Sequence, residues 1–131
     1  MDTTSIQVDE IFHTGEVIVK LNEKGSASYT INYPVAWDKI VCIPEDEIMV
    51  KKADALVFGS LVCRDSVSQS SLLEIINYAK YAVFDVNLRA PFYTKEILIN
   101  LMMQSDFIKF NDDELYEISA FMNSPYHSLE Q

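Results

Sequence analysis

Asn111, Asp112, Asp113 and Glu114 directly follow the apolar run FIKF and open an amphipathic stretch that ends near Met122. Two kinds of chemistry suit that placement. Asn111 followed three residues later by Glu114 is the asparagine form of a capping box, in which each side chain accepts from the other residue's backbone N–H. The same oxygens at a helix N-terminus also suit a phosphate and its metal ion, because free N–H groups and the helix dipole favour an anion there. A second group, Asp85, Asn87 and Arg89, lies in VFDVNLR. A carboxylate inside an apolar strand is costly unless paired, and Arg89 or Lys109 can supply the counter-charge for Asp85. Lys109, inside FIKF, is likewise expensive to bury and asks for an anionic ligand or a nearby carboxylate.

These groups need a scaffold that delivers them to one place. From residue 53 onward, short apolar runs alternate with helical periodicity. ALVFGS (55–60) and AVFDVN (82–87) read as strands buried on both faces, and FIKF (107–110) as a third strand. Between and after them, residues 71–80 space Leu72, Ile76 and Ala79 as a helix does, residues 94–104 form a helix capped by Thr94, and residues 112–122 carry a Leu115, Ile118 and Met122 stripe. The order β-α-β-α-β-α predicts an α/β fold, a parallel sheet with flanking helices. In the first third, EVIVKLN (16–22) and ASYTINY (27–33) flank a turn at Gly25 and predict a hairpin with Val17, Val19 and Leu21 on one face. Pro34 and Pro44 punctuate the connection after the hairpin and bracket a short helix. The predicted organisation is a hairpin and connection over 1–38 and a βαβαβα core over 39–131.

Ligands of open parallel sheets bind outside the carboxyl ends of the strands. The first strand ends at Gly59 and Ser60 with Arg64 soon after, the second at Asp85, Asn87 and Arg89, and the third at Lys109, Asn111 and Glu114. Three strands therefore bring polar groups to one edge.

Composition narrows the partners. A formal charge of −10 without a basic stripe disfavours a nucleic-acid backbone, which demands Lys and Arg to displace counterions. Cys42 and Cys63 have neither CxxC spacing nor a nearby His, so both read as plain packing residues. His13 and His127 share no ligand spacing, and Phe92, Tyr93, Tyr116 and Phe121 read as packing residues, as does Trp37, the only tryptophan. The opening MDTTSIQVDE lacks the features of a leader, and the apolar runs fall far short of the ~20 residues of a membrane span, so the chain reads as soluble and cytoplasmic with no membrane partner.

With TGEVIVKL, ASYTI and AWD, then ALVFGSLVCR, VFDVNLRAPFY and KFNDDE in that order, the chain resembles the middle of a PfkB-type, ribokinase-like sugar kinase, and among those bacterial fructokinases. The resemblance implies a partial ribokinase-like fold in which the hairpin is part of a β lid over the sugar, with Trp37 and Asp38 in the substrate cover. It implies that Asp85, Asn87 and Arg89 form a DxNxR element, with Arg89 touching the substrate or its phosphate. Lys109 and Asn111 then face the nucleotide phosphates of ATP, and Asn111 and Glu114 help organise Mg²⁺ and its water shell. Mg²⁺ keeps most of its waters, so such acceptors suffice without a full protein cage.

Members of that family also carry a Gly-rich sugar-binding region and a Gly-Ala-Gly-Asp type loop whose Asp is the catalytic base. This chain has only Gly15, Gly25 and Gly59, none adjacent to another, so no such backbone anion hole can be built from it. The expectation is a kinase fragment of under half the usual length that is inactive alone and self-associates through its uncovered edges and lid. One alternative is a non-catalytic remnant that binds a sugar or a protein. Another is an acidic Mg²⁺-binding receiver of flavodoxin-like fold, disfavoured because ALVFGS ends in Gly59 and Ser60 rather than an acidic pair.

Overall fold

The structure, a computed structural model, describes residues 3–124; His127 lies outside them. Strands β1 (Val17–Leu21) and β2 (Ala27–Ile31) pair antiparallel, with Val17 opposite Ile31 and Val19 opposite Tyr29. Their turn is built by Asn22, whose Oδ1 accepts from the N–H groups of Lys24 and Ser26, each at 2.9 Å. Gly25 has φ 78°, the left-handed region that glycine enters without strain. The predicted Val17, Val19 and Leu21 face is present, but it looks into solvent, with Leu21 71% exposed.

The connection differs from expectation in one respect. The short helix between the two prolines is a single 3-10 turn, Ala36–Lys39, and a full helix, α1 (Pro44–Lys52), begins at Pro44 itself. Proline is favoured at the first helical position because its missing N–H would have no partner there. Asp46 completes that start by accepting from the Ile43 N–H at 3.2 Å.

The core continues as β3 (Leu56–Gly59), a 3-10 turn at Leu61–Arg64, α2 (Ser66–Ile75), β4 (Ala82–Asp85), α3 (Lys95–Met103), β5 (Phe107–Lys109) and α4 (Asp112–Phe121). The three strands are parallel in the order β3-β4-β5, as expected of an α/β chain. The predicted helix over 71–80 starts earlier, at Ser66, because Asp65 caps it by accepting from the Val67 N–H at 2.9 Å, and it tightens into a 3-10 turn at Ile76–Tyr78. Thr94 caps α3, as expected, by accepting from the Ile97 N–H.

Leu72 of α2, Leu98 and Leu101 of α3 and Ile118 of α4 join Phe58 and Phe84 in one buried cluster, where the two phenyl rings stack at 5.5 Å. The opposite face of the sheet carries the in-register row Val57, Val83 and Phe107. Val57 there is 66% exposed, so β3 is not buried on both faces as its continuous apolar run suggested. The reason is layering: α2, α3 and α4 all send their apolar residues to the Phe58 and Phe84 side.

Candidate functional site

Alternation along the strands decides where the polar groups emerge. Gly59, Asp85 and Lys109 stand opposite one another in register and share the open face with Val57, Val83 and Phe107. Lys109 Nζ donates to Asp85 Oδ1 at 2.8 Å, which settles the counter-charge of Asp85 in favour of Lys109 over Arg89. The pair is not buried: the two side chains are 65% and 39% exposed, because both sit at strand ends on the uncovered face. The Asp85 carboxylate, by accepting from Lys109, raises the ammonium above its ordinary value.

Beyond the strands the ladder continues. Val86 N–H donates to the Lys109 carbonyl at 2.9 Å, and Ser60 N–H donates to the Val86 carbonyl at 3.3 Å. The three strand ends are thereby held side by side. At Asn87 the chain turns with φ 45°, a conformation that asparagine tolerates better than most residues. Leu88 N–H then donates to Glu114 Oε1 at 2.8 Å.

Glu114 therefore works at two places. Its Oε2 accepts from the Asn111 N–H at 3.0 Å while Asn111 Oδ1 accepts from the Glu114 N–H at 2.9 Å, the expected capping box. Its Oε1 ties the DVNLR loop to the same helix start. Cap and junction are thus one buried carboxylate, and the two motifs singled out in the sequence are directly bonded to each other.

Arg89 stands apart from this junction. Its Nη1 donates to the Leu88 carbonyl at 2.7 Å, and the residue lines a cleft of about 610 Å³ between the hairpin and the loop after β4. The hairpin wall is Val17, Tyr29 and Ile31, and the loop wall is Leu88, Arg89, Ala90 and Phe92. Arg89 is the only charged residue in that lining. A larger hollow of about 720 Å³, mostly apolar, lies elsewhere against the N-terminal segment, α1 and α2, and of the predicted site residues only Trp37 touches it.

Trp37 and Asp38 do not face the cleft lining. Asp38 is fully buried; its Oδ1 accepts from Arg64 Nε at 2.6 Å, and its Oδ2 from Arg64 Nη2 at 2.7 Å and from the Val35 N–H at 2.9 Å. A buried carboxylate needs such a counter-charge, and both oxygens of this one already accept from protein donors. Trp37 lies over the Arg64 guanidinium, 3.9 Å from it. Arg64 is the residue that sequence reasoning undervalued: it appeared only as a polar group near the end of the first strand. Its signal was a lone cation closing the apolar run ALVFGSLVCR, with an acidic residue beside the only Trp.

Other groups have structural partners. Tyr93 donates to Glu117, and this bond pushes its hydroxyl up to about 12. Burial pushes the Cys63 thiol up to about 11 and also raises Cys42, so neither is a ready nucleophile, in keeping with their reading as packing residues. Among the described residues no three His, Cys, Asp or Glu side chains cluster as a metal cage. Asn111 Oδ1 and both Glu114 oxygens each accept from a backbone N–H, so these groups are committed to the cap and the loop junction rather than arranged as direct metal ligands. No helix of the described residues is long and apolar enough to cross a membrane.

A parallel α/β sheet with polar groups stitched together at its strand ends and a hairpin covering a cleft beside them has the architecture of a sugar kinase. The chain belongs to the pfkB family of carbohydrate kinases, whose sequence model matches residues 1–126. Solved structures of an uncharacterized sugar kinase from Pyrococcus horikoshii are similar to it: one at 25% identity with a TM-score of 0.74, and one in complex with ATP at 27% identity with a TM-score of 0.70. Each comparison covers 86% of this chain and 40% of the other, so the chain spans well under two thirds of their length. A search of curated proteins gave no match.

Proposed function

We propose that this chain supplies the lid and the phosphate-facing edge of an ATP-dependent sugar kinase, with fructose as the sugar. The observation that carries this reading is the cleft between hairpin and loop, whose size falls in the range of small-molecule sites and whose one charge is Arg89. In this reading Arg89 contacts the sugar or the phosphate it receives, and Asp85 and Asn87 set the loop that aims it. Lys109 and Asn111 face the phosphates of ATP. Asn111 and Glu114 orient water around Mg²⁺, which when bound would neutralise phosphate charge. Trp37 and Asp38 act on the sugar only indirectly, from beneath the lid. Phosphoryl transfer depends on such positioning and neutralisation.

Transfer also needs a base for the sugar hydroxyl, and these 131 residues contain neither the Gly-rich loop nor its Asp. The chain alone is therefore inactive in this proposal. An ATP-consumption assay with fructose and Mg²⁺ tests it, and turnover above background would overturn the inactivity. Binding without turnover is the second reading, favoured because Arg89 stands among the apolar walls Val17, Tyr29, Ile31, Leu88, Ala90 and Phe92 of one cleft. Titration with fructose, followed through Trp37 emission, separates retained binding from none. The exposed apolar residues Val17, Val19, Leu21 and Tyr29 support self-association through the hairpin. Light scattering that shows a monomer at micromolar concentration would contradict it.

A further inference from the structure

Arg64 is a buried charge that the proposed site does not use, its side chain only 1% exposed. It grips Asp38 with two donors, and its Nη2 also donates to the Asn32 carbonyl at 2.7 Å. The rings of Trp37, Tyr33 and Phe92 surround the guanidinium at 3.9, 5.1 and 5.0 Å. Nη1 is buried with no hydrogen-bond partner among the described residues.

The identity of these partners is the telling point. Asn32 and Tyr33 end the return leg of the hairpin, Trp37 and Asp38 form the turn after it, and Phe92 belongs to the loop that walls the cleft. The outgoing leg arrives at the same spot. A Cβ on Gly15, two residues before β1, would lie 2.4 Å from Trp37 Nε1, so only glycine lets the chain pass so close to that ring. The outgoing leg thus meets Trp37, and the return leg meets Arg64. Apart from a backbone bond at its root, from the Ala36 N–H to the His13 carbonyl at 2.8 Å, the hairpin has little else to hold it, because every residue of β1 is exposed, as is every residue of β2 but Ile31. Two strands alone are marginal in water, so the pose of the hairpin is decided at its root.

We propose that Arg64, clamped by Asp38, is the positioning residue that fixes the hairpin over the cleft and sets the distance between the Tyr29 and Phe92 walls. Tyr33 also donates to Asp65 at 3.0 Å, a tie to one leg only; Arg64 reaches the return leg directly and the outgoing leg through Trp37. Any effect on fructose affinity rests on the kinase reading, whereas the pose of the hairpin does not.

Hydrogen exchange on the full chain tests the clamp. The double variant Arg64→Met with Asp38→Asn removes both buried charges together and keeps an acceptor for the Val35 N–H, so the fold is retained. The expected result is a loss of protection by about fivefold or more in the hairpin amides, with less than about twofold change at Phe84 and Leu101. Arg64→Lys keeps the charge and loses the fork, so it should fall between wild type and the double variant; if the double variant does not fold, the same comparison is read from this one. Unchanged hairpin exchange would overturn the proposal, as would an equal loss in hairpin and core, which would make the pair a general stabiliser. A parallel fructose titration keeps the two ideas apart: failure of the wild-type chain to bind fructose overturns the sugar-site reading and leaves the exchange result standing.

Discussion

β1 reads VIVKL and β4 reads AVFD, and by composition either could be a core strand. Val19 of the first is 53% exposed, while Phe84 of the second has no exposure at all. The difference lies in what each strand has beside it. β4 is central, flanked by β3 and β5 and covered on one face by residues of α2, α3 and α4. The hairpin pairs only with itself and stands on its root. Apolar content states what a strand can bury; a second layer decides whether it does.

The strongest way to break this comparison is to truncate one side chain in each region. Phe84→Ala should cost about 3–5 kcal/mol, since the ring is fully enclosed and its loss leaves a cavity. Tyr29→Ala, on a residue 68% exposed, should stay within about 0.5 kcal/mol. Urea unfolding midpoints of the two variants check both. Equal losses would mean that the hairpin face is covered in solution.

A smaller effect is expected at the junction of the two sequence motifs. Glu114→Gln leaves one acceptor oxygen where two N–H groups, of Leu88 and Asn111, now point, and the cost should be about 2 kcal/mol. The same denaturation measurement reads it, and faster exchange at the Leu88 amide would localise it. The hairpin should not respond, which sharpens the contrast between a loop held by a carboxylate and a lid held by its root.

Much of the core was legible because its signals are local. Strands and helices over 82–122 follow from apolar period and from Thr94 and Asn111, whose caps formed as expected. Even the Asp85–Lys109 pair follows once the strands are aligned, since register puts the two residues opposite each other. α1 was not legible: its apolar residues, Ile48, Met49 and Val50, are contiguous rather than periodic, and Pro44 read as a stop when it is a start. The role of Arg64 was hidden for another reason. Its partner Asp38 lies 26 residues away on a different element, and no periodicity reports a tertiary ion pair. Asp38, which the resemblance puts in the substrate cover, is the buried half of that pair.

Asp65 joins the two regions, and its effect should be smaller and depend on pH. It accepts from Lys39 Nζ at 2.6 Å, from the Val67 N–H and from the Tyr33 hydroxyl. These bonds, Lys39 first, hold its carboxyl below the usual value of 3.8. The stability it contributes is therefore fully present above pH 3.8 and is lost as pH falls through the lowered folded-state value. Thermal unfolding followed from about pH 6 down to about pH 2.5 should show this loss in the wild type and a shallower slope in Asp65→Asn. An identical slope in both would remove Asp65 from the account.

The smallest effect should come from the pair that first suggested a site. Lys109 and Asp85 are bonded at 2.8 Å, but both are solvated, and an exposed ion pair gains little over its separate hydration. Lys109→Met should leave the urea midpoint unchanged within error, at low salt as at high. A polar pair kept on an open strand edge without stabilising the fold is free to serve a ligand. If Lys109→Met instead shifts the midpoint as far as Glu114→Gln does, the pair must be shielded from water in solution. Shielding would require something over the Val57, Val83 and Phe107 face, and a midpoint that rises with protein concentration would identify it as a second copy of this chain.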